Sequence, residues 1–80
     1  MTPQMMIHKK EVAHYGLQKE KLKTLKFIQH YQLIALKTDD DIESRQKQEY
    51  VSMILVPKLH RIEREMKVLE IQIEKLRARL

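Results

Sequence analysis

Residues 55–80 read LVPKLHRIEREMKVLEIQIEKLRARL. Their apolar side chains recur in alternating steps of four and three: Leu55, Leu59, Ile62, Met66, Leu69, Ile73, Leu76 and Leu80. That is a heptad, with Leu59, Met66, Ile73 and Leu80 at one core position and Leu55, Ile62, Leu69 and Leu76 at the other. A straight helix drifts off a seam repeating every 3.5 residues, so such a seam stays covered when helices supercoil left-handedly. Two covers fit the pattern: the first helix of the same chain, or helices of other copies. Chain size favours the second. A chain of 80 residues buries a modest share of its unfolded surface and needs staples or partners. It contains no cysteine, which removes disulfides, thiolate metal sites and cysteine nucleophiles. The eight seam residues are therefore the expected oligomer interface.

The flanks leave the geometry of that assembly open. Core positions mix Leu, Met and Ile, compatible with dimer, trimer or tetramer. In a parallel pair Lys58 would face Glu63 favourably, whereas Glu65 would face Glu70 unfavourably. Val68 and Ile71 lie off the seam, which implies a further helix over another face, hence a bundle and not a bare zipper.

Working back from the seam, Pro57 lacks a backbone donor and crowds the preceding turn. It disfavours the α region for Val56, so a kink or a fresh start is expected there. Asp39, Asp40, Asp41 and Glu43 sit where a helix N-terminus welcomes negative charge. No glycine-containing calcium loop follows, so they are read as caps. Thr2 followed by Pro3 matches an N-cap with proline at the first helical position. Gly16 interrupts the first helix at a cost of about 1 kcal/mol relative to Ala and marks an expected bend. With one Gly and two Pro, turns must be few. The expected organisation is a single helical unit: a basic first helix over 1–36, a turn with an acidic N-cap over 37–41, a second helix over 42–56 and a heptad helix over 57–80. The fold class is all-α, a long helical hairpin with a C-terminal heptad coiled-coil segment, associating as an oligomeric bundle. The short connection makes the hairpin antiparallel.

The formal net charge is +5, unevenly spread. Residues 1–36 hold six lysines and two glutamates. On a wheel of about 100° per residue, Leu17, Leu25, Ile28, Tyr31 and Ala35 share one side. Lys19, Lys23, Lys26, His30 and Lys37 share the opposite side, bordered by Leu22 and Leu33 on one flank and Phe27 and Ile34 on the other. Lys21 stands apart from them. The stripe spans about 27 Å at 1.5 Å per residue. It is a candidate phosphate-contacting face or simply a solvated one. An anionic membrane surface is the weaker alternative. Arginine is missing from residues 1–44, which argues against base-specific readout.

Val12-Ala13-His14-Tyr15-Gly16-Leu17, with Leu22 and Leu25, resembles the turn of a helix-turn-helix of the kind that precedes coiled coils in insertion-element transposases. The resemblance covers about fourteen residues and implies that the helix after Gly16 lies in a major groove. It departs from the pattern by one residue between Ala13 and Gly16. Too few residues precede it for the supporting helix, and Lys19 is offset by Glu20, so it identifies no family.

Catalytic motifs are missing. His8, His14, His30 and His60 include no i, i+4 pair of the helical metal-binding kind. No Gly-rich phosphate loop occurs, and Ser44 and Ser52, the only serines, lie in no nucleophile motif. Glu63 and Glu70 are expected to pair with Lys67 along the helix. The chain is thus expected to be a non-enzymatic interaction, assembly or regulatory protein, without cofactor or metal. Its expected partner is a second copy or a helical protein. The alternative is a small DNA- or RNA-binding regulator using the lysine stripe, with Lys9 and Lys10 as further candidates. Without a transmembrane run or a signal-type N-terminus, the expected location is intracellular (cytoplasmic), not secreted.

Overall fold

The computed structural model describes residues 2–80. Helix α1 spans Pro3–Lys37, α2 spans Asp41–Tyr50, a π-helical segment covers Val51–Leu55, and α3 spans Val56–Arg77. Helix α1 runs antiparallel to the continuous rod made by the rest, so the molecule is an extended hairpin of 59 × 15 × 15 Å.

Local chemistry sets the ends. Thr2 caps α1 by accepting from the Met5 N–H at 3.2 Å, and Pro3 opens the helix, where no donor is required. Thr38, Asp39 and Asp40 make the reversal. Asp40 Oδ1 accepts from the Ile42 and Glu43 N–H groups at 2.9 and 3.3 Å, satisfying donors that the helix cannot. The Ser44 hydroxyl donates to the Ala35 carbonyl at 2.9 Å and ties α2 back to α1.

Helix α1 passes through Gly16 without interruption, and no glycine has positive φ. The helix is thus unbroken at Gly16, and the turn implied by the resemblance to a helix-turn-helix does not form. A Cβ at Gly16 would meet nothing within 4 Å. Gly16→Ala is therefore expected to stabilise the fold by about 1 kcal/mol, read as a higher midpoint in thermal melting. A midpoint that falls would show that the glycine is needed.

The core is one seam between α1 and the returning rod. It has two apolar clusters. Ile7, Ile73 and Leu76, with Met6, close the open end; Ile28, Val51 and Leu55, with Tyr31, Val56 and Leu59, close the turn end. Ile62 lies between them and is fully buried. The face that α1 turns inward is itself a heptad: Ile7, Lys10, His14, Leu17, Lys21, Thr24, Ile28, Tyr31, Ala35 and Thr38 are all buried or half-buried. Its middle is polar, and the polar groups find partners. Lys10 Nζ donates to Gln72 at 2.8 Å, His14 Nε2 lies 3.0 Å from Glu70 Oε1, and Lys21 Nζ lies 3.9 Å from Glu63. Thr24, 3 % exposed, donates its hydroxyl to the Glu20 carbonyl at 2.8 Å. Among the described residues no buried side-chain polar atom lacks a partner.

The chain stays helical through Pro57: α3 begins at Val56 with the proline in its first turn, directly after the π-helical segment. Val56 stays in the α region (φ −66°, ψ −46°), contrary to the expectation for a residue before proline, and its N–H donates to Val51 across a wider π turn. Seam spacing explains that turn. Continued backward from Ile62, Leu59 and Leu55, the alternation of three and four reaches Ser52. Ser52 is exposed, and Val51 is buried instead. The chain therefore holds one residue more than a regular helix can place, and a π turn absorbs one extra residue. The same widening relieves the clash between a proline ring and the carbonyl four residues back.

Candidate functional site

The structure divides the eight heptad residues. Leu55, Ile62, Ile73 and Leu76 are buried inside the hairpin. Leu59, Met66 and Leu69 are half-buried, and Leu80 is exposed beyond the end of α3. Helix α1 of the same chain thus provides much of the cover that the seam requires. Glu63 and Glu70 do not pair with Lys67 along the helix. They face α1, where Lys21 and His14 meet them. Arg77 reaches Glu11 at 2.9 Å, so this flank of the hairpin is laced by cross-helix polar contacts.

The five basic candidates do share one surface. Lys19, Lys23, Lys26, His30 and Lys37 are all exposed on the side of α1 turned away from the seam. Lys19 Nζ rests 4.6 Å from the centre of the Tyr15 ring, a cation–π contact. Lys23, Lys26 and His30 border a shallow depression around Phe27. Among the described residues none of the four lysines has a carboxylate within ion-pair distance. Lys21, set apart from this stripe by the wheel, points into the seam region. Lys10 is half-buried against Gln72, which leaves Lys9 as the more accessible of the two N-terminal lysines.

A second surface was invisible to a search for charge. Tyr15, Leu22 and Leu36 are 58 %, 54 % and 80 % exposed, seven or fourteen residues apart on one flank of α1. On α3, Val68 and Ile71 also stay exposed, so within one chain the further helix expected over them is not supplied. The signal for the α1 flank was present as a spacing of seven, but Gln18, Gln29 and Gln32 separate its apolar members and mask it.

Among the described residues no group of three or more His, Cys, Asp or Glu side chains could hold a metal ion. Among the same residues no helix is long and apolar enough to cross a membrane. Ser44, bonded to the Ala35 carbonyl, serves the turn. Comparison with family models, curated proteins and solved structures finds no match.

Proposed function

We propose that this hairpin is a non-enzymatic assembly or regulatory protein, and that it works by helix-to-helix contact as part of a homo-oligomeric coiled-coil bundle or against a helical protein partner. One observation carries the reading. The chain exposes 6375 Å², whereas a compact monomer of 9.7 kDa exposes about 5100 Å². The surplus of roughly 1250 Å² exceeds the approximately 800 Å² that each partner buries in a standard interface. Because the heptad seam is largely spent within the hairpin, the assembling surface draws on the half-buried Leu59, Met66 and Leu69 and on exposed faces of α1 and α3. Sedimentation equilibrium is expected to give a mass of at least two chains at low micromolar concentration. A monomer that still melts cooperatively there would contradict the reading.

The exposed lysine stripe supports a second reading, a basic DNA- or RNA-binding regulator. Its five members have a common outer face and, among the described residues, no carboxylate within ion-pair distance. On this reading, duplex DNA affinity falls with salt, and changing Lys19, Lys23 and Lys26 to Gln lowers the slope of log K against log salt by about 2.7, from 0.9 per phosphate contact. A flat salt response, or an unaltered slope in the triple variant, removes it.

A further inference from the structure

We propose that α1 carries a second seam, at Tyr15, Gln18, Leu22, Leu25, Gln29 and Gln32, and that its occupant is the same seam of a second copy running antiparallel. This rests on the assembly reading above and specifies its partner, face and polarity. The six positions follow the three–four alternation of a heptad on the flank of α1 beside its buried face, and all but the half-buried Leu25 are exposed. None is charged, although 34 % of the chain is. Leu36 continues the series and is the most exposed large apolar side chain of the helix at 80 %. A helix that needed only to be soluble on this flank would not keep it free of charge over six turns.

Self-pairing follows from what each position would meet. In an antiparallel pair the two kinds of core position face each other. One register sets Leu22 against the partner's Leu25 and Leu25 against the partner's Leu22. Gln18 then meets the partner's Gln29, and Tyr15 meets the partner's Gln32. Apolar groups meet apolar groups at the centre, and amides meet amides outside it, where each supplies donors and an acceptor. Leu36 meets the partner's Glu11 at the edge of the contact, where that carboxylate is already paired with Arg77 of its own chain at 2.9 Å, so no charge is buried unpaired. The contact is isologous, so it closes as a dimer.

Charge at the hairpin ends selects the polarity. The turn end carries Asp39, Asp40, Asp41 and Glu43 against Lys37, Arg45 and Lys47, whereas the open end carries Lys9, Lys10, Lys75, Arg77 and Arg79 against Glu11 and Glu74. A parallel dimer would set two acidic turns side by side. In the antiparallel register Asp39 falls opposite the partner's His8, next to its Lys9. The register also brings Lys19 toward the partner's Lys26, a small opposing effect because both ammonium groups can turn to solvent on long stems.

The chain has no cysteine, so introduced thiols report pairing directly. In the chain carrying both Gln18→Cys and Gln29→Cys, the two thiols are about 16 Å apart along one helix, too far to join each other. Under mild oxidation this double variant is expected to form a covalent dimer at least tenfold faster than either single variant. Leu22→Glu with Leu25→Glu is expected to halve the mass of the parent assembly, with helical content retained because Leu22 is exposed and the half-buried Leu25 belongs to neither buried cluster of the hairpin. Single-cysteine variants that cross-link as fast as the double variant would overturn the antiparallel polarity. An oligomer that survives both glutamates would overturn this face while leaving self-assembly standing. A parent chain that sediments as a monomer would overturn both this inference and the assembly reading.

Discussion

Ile62→Asp is expected to abolish the folded hairpin. Among the described residues Ile62 is the one side chain with no exposure at all, and it sits midway along the seam between the two apolar clusters. An aspartate there would be buried with no designated partner, and an unpaired buried charge is among the costliest single changes a core can suffer. Even Ile62→Ala, which leaves only a cavity, is expected to cost about 2–5 kcal/mol. The whole stability of an 80-residue chain is about 4–12 kcal/mol. Far-ultraviolet circular dichroism with thermal melting checks this: the aspartate variant should lose its cooperative transition, and the alanine variant should melt well below the parent. Leu80→Asp is the matched control. Leu80 belongs to the same heptad series, at its other core position, yet it is 66 % exposed, so its melt should be unchanged. Equal effects at the two positions would mean that the seam is not closed as described.

Removing the extra residue beside Pro57 is expected to have the next largest effect, and only in combination. Pro57→Ala restores a donor but leaves one residue too many between Val51 and Leu55, so the π turn stays and little stability is gained. Deleting Ser52 brings the two halves of the seam into one register. It also forces the Pro57 ring back toward the Met53 carbonyl, at a cost of about 3 kcal/mol. With both changes the rod can run as an unbroken α-helix. The two changes are thus expected to couple favourably by about 3 kcal/mol in a double-mutant cycle of denaturant unfolding. Additive effects would show that the proline and the extra residue are unrelated.

These two sites mark the boundary of what sequence pattern alone reveals. The heptad from Leu55 to Leu76 was legible because every position is apolar. The cap at Asp40 was legible because acidic residues cluster where a helix exposes its N–H groups. The facing seam of α1 was not, because Lys10, His14, Lys21 and Thr24 occupy inward positions where apolarity is normally the guide. Lys10 and Lys21 reach Gln72 and Glu63, their aliphatic stems covering the seam while their ammonium groups remain near its edge. Charge placed them on the surface, whereas spacing places them inside. That misreading made the C-terminal seam look bare and in need of an outside partner. The π turn was hidden for a different reason. Its cause is a phase difference between two short runs, visible only once Val51, and not Ser52, is known to be buried. The basic stripe was readable as a face because its five members obey one helical period, but its lack of counter-charges depends on where the glutamates of α3 end up.

The chain folds back on itself, and on the proposed reading closed hairpins then associate side by side. The rival arrangement uses the same heptads but opens the reversal at Thr38 to Asp40, so that straight helices of different chains exchange partners. Length separates the two. Small-angle X-ray scattering on the assembled protein should give a maximum dimension close to the 59 Å of one hairpin, extended to about 65–75 Å by the antiparallel offset and side chains. A particle of about 115 Å, the length of nearly 80 residues in one continuous helix, would contradict the account.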